Sequence, residues 1–172
     1  MAVILRTVTE ASRERLLREV KRLVLARSDM RQVSIAAKYL SAYATKLNSQ
    51  VVRVIWTGIV VTYARPFTKK NKLGAVQGRV IHFEDHMQRS LHGRLCELRN
   101  QLFAHTDETE LRGIVAASEV LDGAEGYVEE HESMNLGAVP DIAELADELG
   151  KRFTTRVREI EEQLGRRRAS LR

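Results

Sequence analysis

The 172 residues suffice for one domain whose hydrophobic core needs neither metal nor disulfide to hold it. Hydrophobic residues at 44% and charged residues at 30% exclude a disordered tract or a membrane-embedded bundle, and two prolines with 5% aromatics favour helix over a β-barrel or sandwich. The net charge of +5 is unevenly spread: residues 1–79 hold 16 Lys/Arg against 4 Asp/Glu, residues 80–150 hold 4 against 16, and residues 151–172 hold 8 against 3.

MAVILR at the start is too short for the apolar region of a signal peptide. Thr9 is placed to cap a helix through EASRERLLREVKRLVLAR, with Leu16, Val20, Leu23 and Val24 on one side and arginines on the other. From about Gln32 a longer pattern of Ala36, Leu40, Tyr43, Leu47, Val51, Val54, Gly58 and Val61 steps by threes and fours. It reads as one long helix, or as two broken near Asn48-Ser49, ending at YARPF where Pro66 biases Arg65 away from helix. The longest apolar run, Val54 to Val61, is interrupted by Gly58 and cannot span a bilayer.

Residues 68–79, TKKNKLGAVQGR, read as an exposed basic loop. Helical spacing returns from about Phe83 to His105, with Met87, Leu91, Leu95, Leu98 and Leu102 as its stripe. Residues 113–135 suit a small β-hairpin around Asp122-Gly123 as well as they suit helix. Pro140 opens a last helix with Ile142, Leu145, Leu149, Phe153, Val157, Ile160 and Leu164 on one face, and the basic tail 165–172 is expected to fray. There is no internal repeat and no second domain, so residues 1–172 read as a single, mostly α unit. The single Cys96 has no thiol partner for a disulfide or a zinc knuckle, which fits a reducing cytoplasm.

The charge partition permits two readings. The basic first and last segments can form a footprint for a polyanion, and attraction between basic and acidic segments accounts for the same numbers.

The chemistry concentrates in LRNQLFAHTD, Leu98 to Asp107. Arg99 brings a permanent cation with a planar donor fork, and His105 brings a ring that exchanges a proton near neutrality. Six residues apart on a straight helix, they point about 120° away from each other. They cooperate only if the helix loosens at Ala104 or if a twofold dimer sets the helix beside its mate. His92, seven residues before Arg99, shares its face, and Asn100 is placed to orient a phosphate or a ring.

LHGRLCELRNQLFAHTD, Leu91 to Asp107, resembles the signature of the HEPN superfamily: Arg99, the polar follower Asn100, the intervening NQLFA, then His105 at the end of a core helix. YARPF and the Leu91-His92 pair add to the likeness, which covers roughly residues 32–107. The resemblance implies a helical bundle of four or five helices that dimerises through the motif helices. It also implies a metal-independent, cofactor-free endoribonuclease in which the RNA 2′-hydroxyl attacks its own phosphorus. Arg99, Asn100 and His105 would be catalytic, and similar proteins serve as toxins, with an antitoxin partner, or in phage defence. Members of the superfamily also act as non-catalytic dimerisation or RNA- and protein-binding modules.

Lys69, Lys70, Lys72 and His92 are candidate RNA contacts. His82 and His86, four apart with Glu84 and Asp85 between them, offer a rival metal pair but lack a third ligand on that face. His131 lies in an acidic run and reads as solvated, while Trp56, Tyr63 and Phe67 read as packing residues rather than base platforms.

Overall fold

Between Glu10 and Tyr43 the sequence has neither proline nor glycine, and the chain forms one helix, α1 (Glu10–Tyr43), about 51 Å long. The computed structural model describes residues 10–68, 73–107 and 135–169, with the backbone alone at 79, 102–107 and 166–169. Among these residues three further helices follow, α2 (Ser49–Ala64), α3 (His86–Asp107) and α4 (Val139–Ala169), and short 3-10 turns supply the remaining regular structure. The protein is a mostly α bundle.

On α1, Leu16, Leu23, Met30 and Ala37 fall at intervals of seven, and Ala26, Val33 and Leu40 fall three residues after the last three of them, all buried. This 3.5-residue spacing makes a narrow apolar seam. On α4, Ala146, Phe153 and Ile160 repeat it, with Ile142 and Leu149 four residues before the first two of them and all five buried. The two helices pack together more extensively than any other pair. They run antiparallel, since Lys38 Nζ meets Asp147 Oδ2 at 2.7 Å and Arg156 Nε meets Glu19 Oε1 at 2.9 Å. Side chains the size of Leu or Phe contribute about 1.5–3 kcal/mol each when fully buried, whereas the partly exposed ion pairs chiefly fix register.

The expected start of a new pattern near Gln32 is not a boundary, because α1 runs unbroken through Ser28, Asp29 and Met30. The break lies at a 3-10 turn over Ala44–Lys46 followed by extended Leu47 and Asn48. Asn48 Oδ1 accepts a hydrogen bond from Gln50 N–H at 2.8 Å and caps α2. The break resets the phase, which corrects the continuous stripe expected across it. Tyr43, Val51 and Val54 are exposed, Val54 by 71%, while Val52, Ile59, Val60 and Tyr63 are buried. Val24 is likewise exposed rather than inward.

A 3-10 turn with Pro66 in its first positions ends α2. There Arg65 donates from Nε to Asp29 Oδ2 at 3.1 Å, and its Nη2 donates to Oδ1, clamping the hairpin of α1 and α2. Of the expected exposed basic loop, the described part is held down instead. Val76 N–H donates to Pro66 O at 2.8 Å, Arg22 Nη1 donates to Ala75 O at 2.9 Å, and both Ala75 and Val76 are buried. Gly74 and Gly78, each at φ 80°, supply the left-handed turns on either side. Lys69, Lys70 and Lys72 lie outside the described residues, as do Thr9, His131 and the hairpin reading for 113–134.

Phe83, expected to begin the third helix, precedes it and is buried. Asp85 caps α3, accepting from Met87 N–H at Oδ1 (2.9 Å) and from Arg89 N–H at its carbonyl (3.1 Å). Pro140 stands in the first turn of α4, where its missing N–H has no role, and the inward stripe is as expected except that Leu164 is only partly buried. The helix continues through Ala169, past the point where the tail was expected to fray.

Candidate functional site

The face of α3 that meets α2 is set by Leu95, which is fully buried, with Leu91 and Leu98 partly buried beside it. Met87 belongs to this stripe by spacing yet is 73% exposed, because the cap at Asp85 places it in the first turn, beyond the reach of α2.

Between Leu91 and Leu95 the helix turns His92 into a box of aromatic rings. Phe67 stands edge-on at 4.7 Å between centroids, Phe83 at 5.1 Å and Tyr63 at 5.8 Å. Tyr63 Oη lies 2.9 Å from His92 Nδ1. With the hydroxyl donating, the imidazole is fixed as its Nε2–H tautomer. Burial lowers the pKa of His92 and raises that of Tyr63 well above the usual phenol range, so both are neutral at pH 7. The box is itself anchored: Arg89 Nη2 donates to Phe83 O and Arg152 Nη1 to His82 O, both at 2.6 Å, with the Arg152 guanidinium 5.5 Å from the Phe83 ring. Tyr63 and Phe67 are packing residues, as expected, and what they pack on is His92.

One turn further along lies Cys96, whose thiol is pushed up to about 11 by burial, with Arg99 acting the other way. Arg99 is half-buried, and its Nη1 donates to Asn100 Oδ1 at 3.1 Å. Arg99 and Asn100 are therefore brought together. His92 stands two turns before Arg99 on nearly the same face, with its ring held by Tyr63, Phe67 and Phe83 rather than presented on an open surface.

His105 lies on the same unbroken α-helix, which extends to Asp107, while its side chain lies outside the described residues. The helix does not loosen at Ala104. On this continuous helix Arg99 and His105 stand about 120° apart within one copy.

His82 lies outside α3, which begins at His86, so the helical face the metal reading assumed is absent. Among the described residues no three His, Cys, Asp or Glu side chains stand close enough to hold a metal ion, and no helix is long and apolar enough to cross a membrane.

Comparison with models of known protein families, with curated proteins and with solved structures finds no match.

Proposed function

We propose that the chain is a metal-independent endoribonuclease of the HEPN type, with a composite site formed where two copies pair along α3. The observation that supports this most is the continuity of α3 through the motif. On such a helix Arg99 and His105 diverge by about 120°, and a twofold partner restores the pair by setting the arginine of one copy against the histidine of the other.

In this reading His105 takes the proton from the RNA 2′-hydroxyl, whose oxygen bonds to the adjacent phosphorus. The bond to the 5′-oxygen breaks, that oxygen takes a proton from water, and the products are a 2′,3′-cyclic phosphate and a 5′-hydroxyl. Arg99 meets the non-bridging oxygens as charge builds, and Asn100 positions Arg99. RNA is the substrate because DNA lacks the internal nucleophile. His92 positions the helix rather than touching the strand. A toxin or phage-defence role, with a neutralising antitoxin as partner, is the setting this chemistry suits.

One observation favours a second reading, a non-catalytic HEPN-like dimerisation or binding module: Arg99 already has a hydrogen-bond partner in its own chain. Cleavage of RNA in EDTA separates the two. Wild type is expected to leave cyclic phosphate ends and to arrest growth when expressed, while folded Arg99→Ala and His105→Ala do neither. Equal cleavage by all three, or a strict monomer that cleaves, overturns the proposal.

A further inference from the structure

Away from the motif, α1 and α4 form an open groove whose sides carry Arg27, Arg31 and Lys38 from one helix and Lys151 and Arg158 from the other. Asp147 is the one carboxylate among the lining residues, and it is bonded to Lys38. All five cations are exposed, and among the described residues no ion pair engages Arg27, Arg31 or Arg158. The α1 row runs about 16 Å from Arg27 to Lys38. These cations come from the basic first and last segments of the chain, which the fold sets side by side.

Next to that row, Ile35, Tyr39 and Tyr43 follow at intervals of four and stand 59%, 47% and 45% exposed. The two tyrosine rings lie 4.9 Å apart, and Lys46 Nζ is 5.7 Å from the Tyr43 ring. The strip contributes nothing to the core. Uncompensated cations beside exposed rings are the two halves of a single-strand site: phosphates follow the cations and unpaired bases stack on the rings. A duplex keeps its bases stacked inside, and an acidic protein surface has no use for the rings.

We infer that the α1–α4 groove binds single-stranded nucleic acid, its backbone along Arg27, Arg31, Lys151 and Arg158 and its bases against Tyr39 and Tyr43. This binding does not depend on chemistry at Arg99 and His105. A short labelled oligouridylate titrated by fluorescence anisotropy, in a His105→Ala background so that the strand stays intact, measures it whether or not the chain cleaves RNA. The double reversal Arg31→Glu with Lys151→Glu is expected to weaken binding at least about tenfold and to flatten the salt dependence by roughly 1.4, while Arg18→Glu, outside the groove, changes neither. Tyr39→Ala is expected to weaken binding about tenfold even at high salt. An oligothymidylate that binds equally marks contacts common to both strands, and a preference for uridylate marks contacts to the 2′-hydroxyl; either result supports the inference. If the double reversal acts no more strongly than Arg18→Glu, the groove is not the site. If Tyr39→Ala has no effect while heparin competes as well as the strand, the surface serves an acidic partner instead, and the inference fails.

Discussion

The hydroxyl of Tyr63 and Nδ1 of His92 lie 2.9 Å apart, joining the end of α2 to the part of α3 that precedes Arg99. Removing either partner leaves a different defect. Tyr63→Phe leaves an imidazole nitrogen unpaired and should cost about 1 kcal/mol. His92→Ala leaves a buried hydroxyl and a void among three rings, and should cost about 2–4 kcal/mol. Urea denaturation reads both as shifts in midpoint at unchanged slope. A Tyr63→Phe loss as large as that of His92→Ala would mean the hydrogen bond, not the packing, holds the box.

The same histidine predicts a dependence on pH. Burial lowers the pKa of His92 from its ordinary 6.5, so the unfolded chain binds more protons between the folded and unfolded values. The stability it contributes is complete above about 6.5 and is lost as the pH falls through the folded pKa, at no more than about 1.4 kcal/mol per pH unit for one proton. His92→Phe should flatten this part of the stability profile. An identical acid slope in wild type and variant would assign the effect elsewhere.

Asp29 and Arg65 form an unequal pair, since the carboxylate side chain is 13% exposed and the guanidinium 55%. Asp29→Ala leaves a cation that water can solvate, at a cost of about 1 kcal/mol. Arg65→Ala strands a carboxylate near the hairpin interior, at a cost of about 2–3 kcal/mol. Thermal melts at pH 7 should show Arg65→Ala as the less stable variant, and the reverse order would show that stranding the carboxylate is not the main cost of breaking the clamp.

Arg99→Lys tests what the proposed site asks of this position. An ammonium keeps the charge but loses the planar fork and the geometry that Asn100 orients, so cleavage should fall about 10²-fold with the fold intact. Unchanged cleavage by the lysine variant would reduce Arg99 to a simple point charge.

The last helix was readable because one face repeats without interruption from Ile142 to Ile160, and local periodicity is what a sequence states most directly. The spacing of Tyr43, Val51 and Val54 continues smoothly across the break near Asn48-Ser49, so periodicity alone does not show that the Asn48 cap resets the phase of α2. Asp29 and Arg65 stand 36 positions apart on different elements, so neither carries a local mark of the other. The box around His92 draws on α2, α3 and the segment before α3, and three isolated aromatics in a sequence do not announce a common centre. The motif from Arg99 to His105 could be seen as a pattern of chemistry, but whether a helix stays straight through it is a property of the fold. Arg27, Arg31 and Lys38 do share one helical face, a signal present in the spacing, yet its meaning depends on Lys151 and Arg158 arriving opposite.

A rod gripped at one point cannot spin about its long axis without first releasing the grip. The ring of His92 is such a grip, and Arg99 stands about 10 Å further along the same rod. The bearing of that cation is therefore fixed by Leu95 in the core together with Phe67 and Phe83, two rings outside the motif that hold His92.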